Sequence, residues 1–212
     1  MPYTSTRRPW RHPLVIGLAL TAALTTIFFL GFVTSDHPPS RPTDTVVLVP
    51  VPGGVGATSR LHGPSVTESG RARGFVDDET GAPSAASNLA ARVSVAAGRE
   101  IYEPTILEQT FGDSAGTLAA VRADAFPPPP DATPTPTIAE SIYYRVIGGD
   151  PNGEYVVVSL LADTEQARAL GGLARIDLTL RWITGDWRLR VPIPAASLRP
   201  DALGYALLGK TS

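Results

Sequence analysis

The chain has 212 residues, with 18 basic and 20 acidic side chains, three histidines and no cysteine. Without cysteine there are no disulfides, thiolate metal sites or thiol nucleophiles. All twenty acids but only fifteen of the eighteen bases lie beyond residue 35, so the larger part is acidic, and the absence of a basic stripe argues against direct nucleic-acid binding.

The first twelve residues carry Arg7, Arg8 and Arg11 and no acid, and are expected to be a cytoplasmic tail (1–12). Residues 14–33, "LVIGLALTAALTTIFFLGFV", are uncharged and long enough to cross a bilayer core, which predicts a transmembrane helix over 13–33. The run exceeds the apolar region of a cleaved signal peptide and ends in "FVTSDHPP" without a small-x-small pair, so an uncleaved anchor is favoured. Everything beyond it is then extracytoplasmic. Residues 34–73 are rich in Pro, Gly, Ser and Thr and are expected to form a linker. Within it "TVVLVPV" resembles a strand, demoted by Pro50 and Pro52 to an edge or an extended tether. His37 and His62 both fall in this segment, away from the expected folded domain over 74–194.

That domain opens with helix signals. "DDETGAPSAASNLAARVSVAAG" has acids before it, Pro83 in its first turn and Gly98 at its end, and Ala86, Leu89, Ala90, Val93 and Ala97 share one stripe. Its small residues predict close packing on another surface. "YEPTILEQTFG" predicts a second helix and "DSAGTLAAVRADAF" a third, capped by Asp113. "PPPPDATPTPT" (127–137) carries six prolines in eleven residues and reads as a stiff connector or a docking site for a proline-recognising partner.

The remainder is β-patterned. "ESIYYRVIGG" and "EYVVVSLLAD" flank the turn "GGDPNG", and "TEQARALGG" leads to the hairpin "ARIDLTLRWITGDWRLRVPIP". In this hairpin Ile176, Leu178, Leu180, Trp182, Trp187, Leu189 and Val191 alternate with Arg175, Asp177, Thr179, Arg181, Arg188 and Arg190. One face is therefore buried, under the small-residue helix. The other presents Arg175, Arg181, Arg188 and Arg190, either as a solvated face paired with Asp177 or as a partner interface. Residues 195–212 are expected to be a tail. The fold class is α+β: an anchor helix, then helices packed on a curved antiparallel sheet.

No histidine follows residue 62, and no esterase, P-loop or dinucleotide motif occurs. No catalytic residue, cofactor site or metal site is assigned. Asp77, Asp78 and Glu79 read as helix-start residues and Asp186 as a turn residue, which leaves only Tyr143 or Tyr144 beside a carboxylate for acid–base chemistry.

The layout resembles a family: a short cytoplasmic tail, one anchor, a proline-rich tether, then helices followed by a sheet. These are features of the bitopic scaffold subunits of type IV secretion and conjugation machines, whose exported domain is a cystatin-like, nuclear-transport-factor-like cone. "RGFVDDETGAPSAASNLAARVSVAAGREIYEPTILEQTFG" together with "WITGDWRLRVP" is similar to small membrane-anchored proteins of actinobacterial conjugative elements. The resemblance covers residues 74–192 and transfers no catalytic residue. It implies a non-enzymatic assembly subunit of a conjugative DNA-transfer or secretion complex, held in the cell membrane, meeting other channel subunits or copies of itself and making no direct contact with nucleic acid. The rival readings are a tethered ligand-binding or transporter-accessory module using the cone cavity, and a cone-fold enzyme using Tyr143 or Tyr144.

Overall fold

The computed structural model describes residues 44–125 and 138–211. The expected cytoplasmic tail, the membrane segment 13–33 and the proline connector 127–137 lie outside the described residues. Among the described residues no helix is long and apolar enough to cross a membrane.

The fold is α+β. Among the described residues eleven strands run β1 (Val47–Val51), β2 (Gly54–Thr58), β3 (Val66–Glu68), β4 (Arg71–Arg73), β5 (Thr110–Gly112), β6 (Ala139–Gly149), β7 (Tyr155–Thr164), β8 (Leu173–Ile183), β9 (Asp186–Val191), β10 (Ser197–Arg199) and β11 (Ala206–Thr211). The helices are α1 (Gly81–Arg92), α2 (Arg99–Gln109), α3 (Ser114–Asp124) and the short α4 (Glu165–Ala169). Nine strands form one sheet in the order β2-β1-β11-β6-β7-β8-β9-β5, with β10 paired to the start of β8, while β3 and β4 make a separate hairpin. The sheet is mixed rather than wholly antiparallel, because β1 runs parallel to β11 and β5 parallel to β9.

Two expected boundaries are corrected. Residues 44–73 do not form a linker: they carry β1 to β4, and the fold begins by Asp44. The one proline of β1 is tolerated because, among the described residues, β11 meets β1 only at Val47 and Leu48. Pro50, opposite Val55 of β2, therefore has no ladder neighbour on its other side that needs an N–H. Residues 195–212 are not a tail either, since β11 lies inside the sheet between β1 and β6.

Helix α1 is the centre of the domain. Its first nine residues, Gly81 to Leu89, are all buried, and it packs against β2, β7, β8 and β9. Small side chains permit that approach: a Cβ on Gly56 of β2 would lie 2.4 Å from Asn88 Oδ1. The approach also closes a sheet edge. Strand β2 ends the sheet, and its Ala57 N–H donates to Ser87 Oγ (3.1 Å) while Asn88 Nδ2 donates to Ala57 O (2.7 Å). Leu89, Ile106, Val156, Val158, Leu178, Leu180, Trp187 and Leu189 are the best-buried apolar side chains between helices and sheet. The predicted stripe on α1 holds at Ala86, Leu89 and Val93, but the helix ends at Arg92 and Ala97 belongs to a separate 3-10 turn.

Candidate interaction surface

The β8–β9 hairpin closes with Thr184 (φ 52°) and Gly185 (φ 83°), so both central residues have positive φ, as a type I′ turn requires. That register puts Trp182 opposite Trp187, Leu180 opposite Leu189 and Arg181 opposite Arg188. The two indoles face inward and meet edge-to-face with centroids 5.2 Å apart, and Trp187 Nε1 donates to Val76 O at 3.0 Å. Asp186 does more than turn the chain. Its carboxylate accepts from Gly74 N (2.9 Å), Phe75 N (3.3 Å) and Trp187 N (2.9 Å), which fastens the segment entering α1 to the hairpin.

The outward face divides the four predicted arginines into one and three. Arg175 is neutralised. Its Nη2 and Nε donate to the two oxygens of Asp177 at 2.7 and 3.1 Å, and Nε also reaches Ser159 Oγ. Ser159 Oγ lies 2.8 Å from Tyr205 OH, and Arg199 lies 4.9 Å over the Tyr205 ring, so the connection between β10 and β11 folds over this end of the face. Arg181 and Arg190 are exposed and Arg188 is half-buried; none of the three makes an ion pair among the described residues. Tyr155, exposed on β7, is the other cross-strand neighbour of Arg181.

Like charges directly opposite one another weaken a sheet. The Arg181–Arg188 pair is therefore unfavourable within the monomer, and Arg190 extends the same charge along β9. Two recesses flank the three arginines. One of about 530 Å³ includes Arg188, Arg73, Glu108 and Asp186; the other, of about 430 Å³, includes Arg190, Asp113 and Thr179. The Glu108 carboxyl in the first is held below its ordinary value, mainly by the Arg71 guanidinium at 2.5 Å, with Arg73 adding to it.

His62 belongs to the fold, against the expectation that it lay in a tether. Its Nδ1 is 2.7 Å from Asp78 Oδ2, while Asp78 Oδ1 accepts from Thr80 N (3.0 Å) and Gly81 N (2.6 Å). The pair thereby ties the β2–β3 connection to the start of α1. His62 borders a recess of about 560 Å³ with Asp44, Thr80, Tyr144 and Lys210. Burial, then the Glu79 carboxylate, pushes the Tyr144 phenol up, while Tyr143 faces the opposite side of β6, opposite Leu161. Among the described residues no group of three His, Asp or Glu side chains is arranged to hold a metal ion.

These elements define a class, an α+β domain with a helix-filled inner face and an arginine-bearing outer face. The chain belongs to a family described as a domain of unknown function (DUF8175), whose model matches residues 33–204. No curated protein and no solved structure matches the chain.

Proposed function

We propose that the protein is a non-enzymatic, membrane-anchored assembly subunit of a conjugative DNA-transfer or type IV secretion-like complex. Its exported domain docks through Arg181, Arg188 and Arg190 onto an acidic surface of another subunit. One observation carries this reading: three cations without acidic partners among the described residues share one face, two of them directly across a strand pair. The placement as a single-pass membrane protein with its N-terminus in the cytoplasm rests on Arg7, Arg8, Arg11 and the apolar run after them. The narrower fold reading, a cystatin-like, nuclear-transport-factor-like cone, is supported by one long helix buried against the antiparallel strands β6 to β9.

Crosslinking in living cells followed by mass spectrometry of the detergent-extracted protein tests the proposal. Channel subunits or a transfer ATPase should be recovered with the native chain and lost with Arg181→Glu/Arg188→Glu. Recovery of transporter subunits alone, or recovery unchanged by the double variant, counts against it. The ligand-binding reading keeps one observation in its favour, an uncharged cleft between α1 and the sheet.

A further inference from the structure

The cleft has a volume of about 350 Å³, within the range of small-ligand sites. It lies where the C-terminal half of α1 and the following 3-10 turn face the ends of β6, β7 and β8. Ile142, Leu160 and Ile176 line it on the sheet side, with Ala162 and Ala174 beside them and Ala90 opposite. No charged or aromatic side chain lines it. Its two serines are already engaged: Ser87 Oγ donates to Ser84 O (2.9 Å) and accepts from Ala57 N, and Ser94 Oγ donates to Ala91 O (2.8 Å).

These walls select against most ligands. A polar molecule finds no unpaired side-chain donor or acceptor, and a flat ring finds no aromatic to stack on. Water in so apolar a cleft finds few side-chain partners and is readily displaced by an apolar group. A flexible aliphatic chain has none of these difficulties. The source of such a chain follows from where the fold begins. With β1 starting at Val47 and the described residues at Asp44, only residues 34–43 separate the expected membrane segment from the domain. Ten residues span at most about 35 Å, so the chain enters the domain at Asp44 no further than that along the sequence from the expected membrane segment.

We infer that this cleft takes one aliphatic chain of a membrane lipid. The inference rests on the ligand-binding reading and on the anchor, and it is independent of the arginine face.

The test uses the full-length protein in phosphatidylcholine vesicles doped with a phospholipid that carries a diazirine at the end of one acyl chain. Flotation of the vesicles reports the anchor, and peptide mapping after irradiation reports the cleft. Adducts are expected on peptides containing Ala90 and Ala174 as well as within 14–33. Ala174→Phe should reduce the cleft adducts by roughly tenfold, as filling a site of this size should, while leaving those in 14–33 unchanged. Ala196→Phe, on the exposed rim, provides a second filling variant should the first fail to fold by circular dichroism. Flotation with adducts confined to 14–33, or cleft adducts undiminished in a folded variant, overturns the cleft alone. Failure to float overturns the anchor, and with it the lipid source.

Discussion

Arg92 brings a cation into the interior with no carboxylate to meet it among the described residues. It is 2 % exposed, and burial lowers its guanidinium to about 10, so it remains charged at neutral pH. Backbone and amide oxygens hold it: Nε donates to Gly70 O (2.7 Å), and Nη1 donates to Asn88 O (3.0 Å) and Asn88 Oδ1 (2.8 Å). Its position in the last turn of α1 adds the favourable end of the helix dipole. Arg92→Met would strand Gly70 O and Asn88 Oδ1, and should lower unfolding free energy by about 3 kcal/mol, read from the urea midpoint. Arg92→Lys should recover little, because an ammonium cannot reproduce the fork. Asp77 and Glu108 predict opposite responses to acid. Burial, then Asp150 and Asp78, raises the Asp77 carboxyl above 3.8, so its ionisation opposes folding at neutral pH and that penalty disappears as pH falls through the raised value. Asp77→Asn should therefore stabilise the protein at pH 7, with the gain fading on acidification. The Glu108 carboxyl is lowered from 4.5, so its contribution is present above that value and is lost as pH falls through the folded value. Glu108→Gln should destabilise at pH 7 and become neutral in acid; parallel urea titrations of both variants at neutral and acid pH check the two signs.

At the scale of elements, the hairpin turn holds a residue in the wrong conformation for its type. Thr184 is β-branched yet has φ 52°, whereas asparagine adopts that region readily. Thr184→Asn should stabilise the domain by about 1 kcal/mol, seen as a higher melting temperature with an unchanged near-UV spectrum. Strand β11 has the opposite character, being short and central. It pairs with β6 on one side and β1 on the other, and Leu208 within it is buried. Deleting residues 206–212 should abolish cooperative unfolding, whereas removal of a true tail would leave it intact. These two elements mark what the sequence discloses. Helices α1 to α3 and strands β6 to β9 were legible because their periodicity is local and each strand is followed by its partner, through a recognisable turn for β6–β7 and β8–β9 and through the short α4 connection for β7–β8. Strand β11 was not, because "ALLGKT" has no alternation and its partner β1 lies some 160 residues earlier. Strand β1 was hidden by Pro50 within it and Pro52 just after it. The same error removed His62 from the fold. The arginine face was legible as alternation, and so was a pairing with Asp177, which lies two residues from Arg175 on the same strand; the joining of Tyr155 and the cover of the Tyr205 connection depend on register and on a folded-back segment, neither of which is encoded locally.

At the scale of the whole molecule, the proposed docking and the stability of the fold make opposing demands on the same two side chains. If the outer face existed only to be solvated, an acid at one of the facing positions would serve better, since opposite charges across a strand pair attract and like charges repel. Arg188→Glu should thus give Arg181 a cross-strand partner and raise stability by about 0.5 kcal/mol, a gain that high salt would screen. The same change should weaken the proposed capture of a partner, because it replaces a cation with an anion on the surface proposed to meet acid. Arg188→Gln, which removes repulsion without reversing charge, should fall between the two in both measurements. Stability from urea titration and partner yield from crosslinking would then move in opposite directions along the series Arg, Gln, Glu. Yields that follow stability instead would mean that the three arginines serve the monomer alone and that the docking surface lies elsewhere.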